Sequence, residues 1–171
     1  MEKTTSQEVI LVNGQDEAIG FDEKLAAHRD GGKLHRAFSV LIFNSRQEML
    51  LQLRSTKKYH FGGLWTNACC GHPMRDESVV AAAARRLQQE FGFHSQLEES
   101  FTFFYEAHDL ISGLSEREWD HVLEGVFDGT PVPNTAEIDD YKWVTMDWLV
   151  DDLRRHPERY TPWFLILLQQ R

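Results

Sequence analysis

A single compact α/β domain is the fold this sequence predicts. Strand-type apolar runs interleave with segments of helical periodicity along the chain. The joints between them are short and marked by Gly, Pro, Asn and Ser. The 171 residues are 42% hydrophobic, enough for one substantial core, and no repeat, low-complexity tract or linker divides them. Residues 1–171 therefore read as one domain, with 1–7 as a flexible tail.

Residues 8–13 read as a short strand closed by Asn13-Gly14, and 22–29 carry a helical pattern that ends near Gly31-Gly32. Residues 36–43 and 48–53 are β-type runs on either side of Asn44-Ser45-Arg46-Gln47, which signals a hairpin. A loop over 55–63 leads through 64–67 into the corner Asn67-Ala68-Cys69-Cys70-Gly71-His72-Pro73. Asp76 is the expected cap of the next helix, where Val80, Ala83, Ala84, Leu87 and Phe91 recur at helical spacing as a core stripe until Gly92 stops it. Strands are expected over 101–108 and 117–127, separated by the turn at Ile111-Ser112-Gly113. A connector over 129–135 leads to a short strand over 141–145, a helix over 147–156 and another from Tyr160 onward.

A net charge of −9 argues against a broad nucleic-acid surface or an anionic membrane partner, since either needs a basic face. The two cysteines are adjacent, which ordinary disulfide geometry does not accommodate without strain, so a reducing compartment is expected. No apolar stretch of signal or spanning type occurs, which makes the cytoplasm the expected location.

The cysteine corner places a thiol, a turn and an imidazole within three residues. It reads either as a reaction centre, with Cys70 an acid or base and His72 a metal ligand, or as buried small hydrophobes beside a turn histidine. Glu116 and Glu118 leave the same face of a strand, where two carboxylates repel unless a cation or shared proton relieves them. With His28, His35 and His72 they offer nitrogens and oxygens suited to an octahedral divalent ion such as manganese, iron or zinc. Surface and capping roles remain open for each histidine taken singly. Arg86 and Glu90 share a helix face as an ion pair, or else Glu90 holds a magnesium ion on phosphate oxygens. Lys24, Arg54, Lys57 and Lys58, if they converge near Cys70, would make a site for an anionic head group such as a diphosphate. Phe101, Phe103, Phe104 and Tyr105 are strand-packing residues by default, and Trp163 is a core anchor or a face for a cation.

Taken in order, Lys24 to His28, Leu34-His35-Arg36-Ala37-Phe38-Ser39, Trp65-Thr66-Asn67 through Gly71-His72-Pro73, Arg85-Arg86 with Glu90-Phe91-Gly92, Glu116-Arg117-Glu118 and Thr161-Pro162-Trp163 resemble the type 1 isopentenyl-diphosphate delta-isomerases. The resemblance spans residues 9–168 and implies a Nudix-like fold, a mixed β-sheet sandwiched between helices. Gly71, Glu77, Arg85, Glu90 and Gly92 fall at Nudix-box positions, whereas Arg86 and Gln89 stand where hydrolytic members carry metal-gathering glutamates. That departure fits a protein that holds a diphosphate without cleaving it.

The resemblance further implies that His28, His35, His72, Glu116 and Glu118 bind one divalent metal, Mn2+ first, with Zn2+ or Fe2+ as alternatives. Glu90 and the backbone carbonyl of Cys70 would reach Mg2+ on the substrate diphosphate, and Lys24, Arg54, Lys58 and Arg86 would contact the head group. An allylic C–H is too weak an acid to ionise first, so protonation of the alkene must lead and a tertiary cation follows. Glu118 with Tyr105 is the expected acid, Cys70 the expected base, and Trp163 the group facing the cation. The implied partner is a small allylic or homoallylic diphosphate, acted on by a monomer or weak homodimer. Two rivals stand beside this reading: a Nudix-type hydrolase, and a non-catalytic protein in which the histidines serve metal-dependent stability.

Overall fold

The computed structural model describes residues 7–171. The expected tail lies outside the described residues except for Gln7, whose carbonyl accepts a hydrogen bond from Lys24 N at 2.8 Å. Strand β1 (Glu8–Val12) pairs antiparallel with β2 (Ala18–Glu23), which runs directly into a one-turn helix α1 (Lys24–Ala27). The helical pattern over 22–29 is thus a strand end followed by a single turn. Glu23 caps that turn by accepting from Leu25 N and Ala26 N, and the chain then turns through Asp30, Gly31 and Gly32, all at positive φ.

Strand β3 (His35–Phe43) is the spine of the sheet. It touches β1 at His35 and β4 (Met49–Arg54) at Phe43, with β6 (Cys69–Gly71) between them, and along its whole other edge it pairs in parallel with β8 (Ser115–Val126). Strand β5 (Trp65–Thr66) and β9 (Ile138–Val144) flank β4, and β7 (Glu98–His108) closes the far side against β8. The cap of helix α2 (Val79–Phe91) lies two residues later than expected. Asp76 lies in a left-handed turn at φ 61°, and Ser78 caps instead, accepting from Ala81 N at 3.2 Å. Val80 is 42% exposed and Ala84 half-buried rather than core, because the face of α2 turned inward runs through Ala82, Ala83, Leu87, Glu90 and Phe91. Gly92 ends α2 in the left-handed region as expected.

Two apolar layers sandwich the sheet. Phe38, Val40 and Ile42 face Ala82, Ala83, Leu87 and Phe91 of α2. The alternate residues of β3 point the other way, where Leu41 joins Met49, Leu51, Phe103 and Val122 under α3 (Met146–Arg155) and α4 (Pro162–Gln170). Phe104 departs from the expected packing and faces solvent. No helix among the described residues is long and apolar enough to cross a membrane.

Candidate active site and metal centre

The parallel register sets His35 of β3 beside Glu118 of β8, and Glu116 follows on the same face. His28 arrives from the C-terminal end of α1 and His72 from just beyond β6. All five side chains are buried, and one ligand atom from each lies within 4.8 Å of the others. His28 Nε2 stands 2.8 Å from Glu116 Oε2, while His35 Nε2 and His72 Nε2 stand 3.2 and 2.8 Å from Glu118 Oε1 and 3.1 Å from each other.

Tautomers show what this cluster needs. His28 Nδ1–H donates to Lys24 O at 2.6 Å and His35 Nδ1–H to Lys33 O at 2.7 Å, and a carbonyl only accepts. In a neutral ring each Nε2 then carries a lone pair, aimed at carboxylate oxygens that carry lone pairs too. A cation at the centre reconciles them, and backbone-fixed rings are the usual support of metal-binding histidines. Without an ion a proton stands in. Burial lowers His28, but the hydrogen bond and charge of Glu116 outweigh it and hold the ring up to about 9. Burial, with the neighbouring His35 charge, pushes His72 well below its ordinary value. Glu118 is opposed by burial yet drawn down to about 2 by the hydrogen bond and charge of His35.

Through His72, Glu116 and Glu118 the cluster forms the floor of a cavity of about 260 Å³, with His28 and His35 behind them. Cys70, Tyr105, Glu118 and Trp163 all line it, as do Lys24, Arg54, Lys58 and Arg86. Tyr105 O–H donates to Glu118 Oε2 across the β7–β8 pair. Cys70 hangs from β6 opposite Ser39, its sulfur 3.2 Å from Asn67 Oδ1 and 3.7 Å from Ser39 Oγ. Asn67 Nδ2 donates to Val40 O and Cys69 O, which turns its Oδ1 toward the sulfur and makes Cys70 the donor. Burial pushes the thiol up to about 12, in keeping with Cys70 as the donor to Asn67. Trp163 packs edge-on to Phe61 and lies 5.2 Å from the Arg54 guanidinium. Its Nε1 has no hydrogen-bond partner among the described residues.

At the other end, burial lowers Lys24 and the charges of Arg86, Lys58 and Arg54 lower it further, the effect of cations gathered in one place. Arg86 Nη2 meets Glu90 Oε1 and Glu137 Oε2, each at 2.5 Å. Glu90 stands behind Arg86 and also accepts from Gln52 Nε2 at 2.7 Å. Glu77 and Arg85, by contrast, pair with each other away from the cavity wall. Lys57 does not line the cavity.

Sequence reasoning missed His60, Glu137, Tyr59, Ser39 and Asp120. Asp120 continues the alternation of Glu116 and Glu118 and was findable from period two. It is buried, accepts from Ser39 Oγ at 2.7 Å, and is held well above its usual range by burial and the Glu118 charge. His60 and Glu137 come from loops, where spacing carries no orientation.

A NUDIX domain model matches residues 33–164. The isopentenyl-diphosphate Delta-isomerase of Halorhodospira halophila is 46% identical over 165 residues, covering 96% of this chain and 94% of that protein. The enzyme of the same name from Nocardia farcinica is 47% identical, covering 94% and 92%. Among solved structures, DR0079 from Deinococcus radiodurans shares the fold at a TM-score of 0.71 with 19% identity, covering 87% of this chain and 90% of that one. A Nudix hydrolase from M. smegmatis, RenU, shares it at 0.57 with 20% identity, covering 94% and 90%. A fold with the NUDIX match across most of its length, and kinship of this degree to enzymes of one name, place the chain in the isopentenyl-diphosphate Delta-isomerase family of Nudix-fold proteins.

Proposed function

We propose that this protein interconverts isopentenyl and dimethylallyl diphosphate by moving a proton on and a proton off a five-carbon chain held in the cavity. The observation that carries the reading is that the Cys70 sulfur and the Glu118–Tyr105 pair, carried on separate strands, line one cavity whose other end gathers four cations. Lys24, Arg54, Lys58 and Arg86 bind the diphosphate. Glu90 and the Cys70 carbonyl hold the Mg2+ that accompanies it, with Arg86 sharing Glu90. His28, His35, His72, Glu116 and Glu118 hold a second divalent ion, Mn2+ in the first instance and Zn2+ or Fe2+ otherwise, which supplies positive charge that makes a proton on Glu118 more acidic. The protein acts in the cytoplasm as a monomer or weak homodimer.

Glu118 with Tyr105 gives a proton to the terminal alkene carbon, the positive charge develops on the tertiary carbon facing Trp163, and Cys70 takes a proton from the adjacent methylene. Because the resting sulfur is protonated, this order requires a proton to pass to the carboxylate side before each forward turnover. The opposite order, with the Cys70 thiol as acid and Glu118 as base, starts from the S–H that Asn67 fixes and needs the proton returned from Glu118 to the sulfur after each turnover.

One experiment tests both the function and the order. Isopentenyl diphosphate is incubated in heavy water with Mg2+ and Mn2+ and followed by proton NMR. The wild type is expected to give the shifted double bond with deuterium, and failure to do so sinks the function. With Cys70→Ala, deuterium entering the terminal methylene without product marks Cys70 as base, whereas no exchange there marks it as acid. Release of phosphate from diphosphates, with this substrate untouched, would support a hydrolase instead. Arg86 stands against that, since its guanidinium is paired with Glu90 rather than replaced by a further metal-gathering carboxylate.

A further inference from the structure

Glu116 is hydrogen-bonded by two histidines, and only one of them belongs to the five-residue cluster. His28 Nε2 meets Oε2, while Nε2 of His60 meets Oε1. A carboxylate oxygen only accepts, so His60 presents an N–H there. His60 comes from the loop between β4 and β5, is buried, and sets its ring 5.5 Å from that of His28, against Tyr59 on one side and Phe61 on the other. Its backbone oxygen accepts from Arg54 Nη2 at 3.1 Å, which fixes the loop to a head-group cation independently of the imidazole.

We propose that His60 is a positioning residue of the metal centre: by holding Glu116 Oε1 it confines that carboxylate to one-oxygen ligation through Oε2 and aims it at the ion. A free carboxylate swings between one-oxygen and two-oxygen ligation, and two-oxygen ligation by Glu116 would take a coordination position that three imidazoles and Glu118 already compete for. Residues that hydrogen-bond a metal ligand from outside contribute by fixing its orientation, and their loss typically weakens metal binding about 10–100-fold. The inference rests on the metal-centre part of the proposed function and not on the isomerase chemistry.

The test is a calorimetric titration of Mn2+ into the chelator-treated full-length protein, comparing wild type, His60→Ala and His60→Gln, with circular dichroism of each metal-free form. His60→Ala is expected to weaken Mn2+ binding about 10–100-fold, and His60→Gln, whose amide N–H can still reach Oε1, to recover most of that loss. Mn2+ affinity of a folded His60→Ala indistinguishable from wild type overturns the proposal, as does His60→Gln binding as weakly as His60→Ala. Should His60→Ala fail to fold, His60→Phe, which keeps a ring but has no N–H to offer Glu116, takes its place under the same criteria. A wild type that binds Mn2+ but does not isomerise leaves this comparison fully readable and counts against the isomerase reading only.

Discussion

The two ends of the cavity bind charge by opposite constructions. The floor is made by strand register and backbone acceptors: His35 lies beside Glu118 because β3 and β8 are parallel, and His28 and His35 are aimed by carbonyls of their own chain segments. The rim is made by long side chains from α1, β4, α2 and the loop after β4; Glu137 and Glu90 balance Lys58 and Arg86, while Arg54 is held by the carbonyls of His60 and Phe61. The floor is therefore rigid and selective for a point charge. The rim is adjustable and suited to a larger, multiply charged group, at the cost of sensitivity to salt.

The sharpest break in that comparison comes from the reacting pair. Cys70→Ala and Glu118→Gln are each expected to cut turnover by about 10²–10⁴-fold. Only Glu118→Gln should also weaken Mn2+ binding, a difference read by calorimetry beside the NMR rate. Equal metal affinity in both variants would dissolve the division between floor and reacting sulfur.

Loading the floor should stabilise the whole fold. At a hundredfold excess of Mn2+ over its dissociation constant the gain is about 2.7 kcal/mol, visible as a rise in Tm that His72→Ala abolishes. At the rim, Lys58→Gln leaves Glu137 paired with Arg86. It should raise KM roughly tenfold with little change in kcat, the scale of one charge-assisted hydrogen bond, and the penalty should grow as salt is lowered. A fall in kcat instead would make Lys58 part of the chemistry.

The smallest effect concerns the loop that carries the rim. Burial alone would raise Asp109, but donors from Phe61 N, Ile111 N and Ser112 hold it below the usual range. Its folded-state pKa is depressed, so its contribution is complete above the unfolded value of about 3.9 and is lost as pH falls through the lower folded value. Asp109→Asn should therefore lose stability at neutral pH and show a shallower acid decline than wild type, read from urea midpoints between neutral and acid pH. Parallel declines would remove Asp109 from the loop's support.

Much of the strand framework was legible because alternation and turn residues report directly on a pleated, half-buried chain. Ala83, Leu87 and Phe91 and the stop at Gly92 were legible from the helical period, and Glu116 and Glu118 could be set on one face from their spacing alone. The strand over Ala18–Glu23 was not legible, since as an edge strand it buries little, and a following single helical turn extended the apparent helix backwards. Asp76 misled because an aspartate suits both a cap and a left-handed turn, and local sequence does not decide between them. His60 and Glu137 were invisible for a different reason: their roles depend on where two loops end up, which only long-range packing fixes.

The parallel pairing of β3 with β8 also dictates when metal can be captured during folding. His28 and Glu116 are 88 positions apart, and His35 and Glu118 are 83. A nascent chain therefore lacks the complete ligand set until well over half of it has been synthesised, and distant pairings of this kind close slowly. An ion bound by the proposed ligands would thus be a late seal on a nearly finished architecture rather than a seed for it, and cells starved of it should accumulate folded apoprotein rather than unfolded chain.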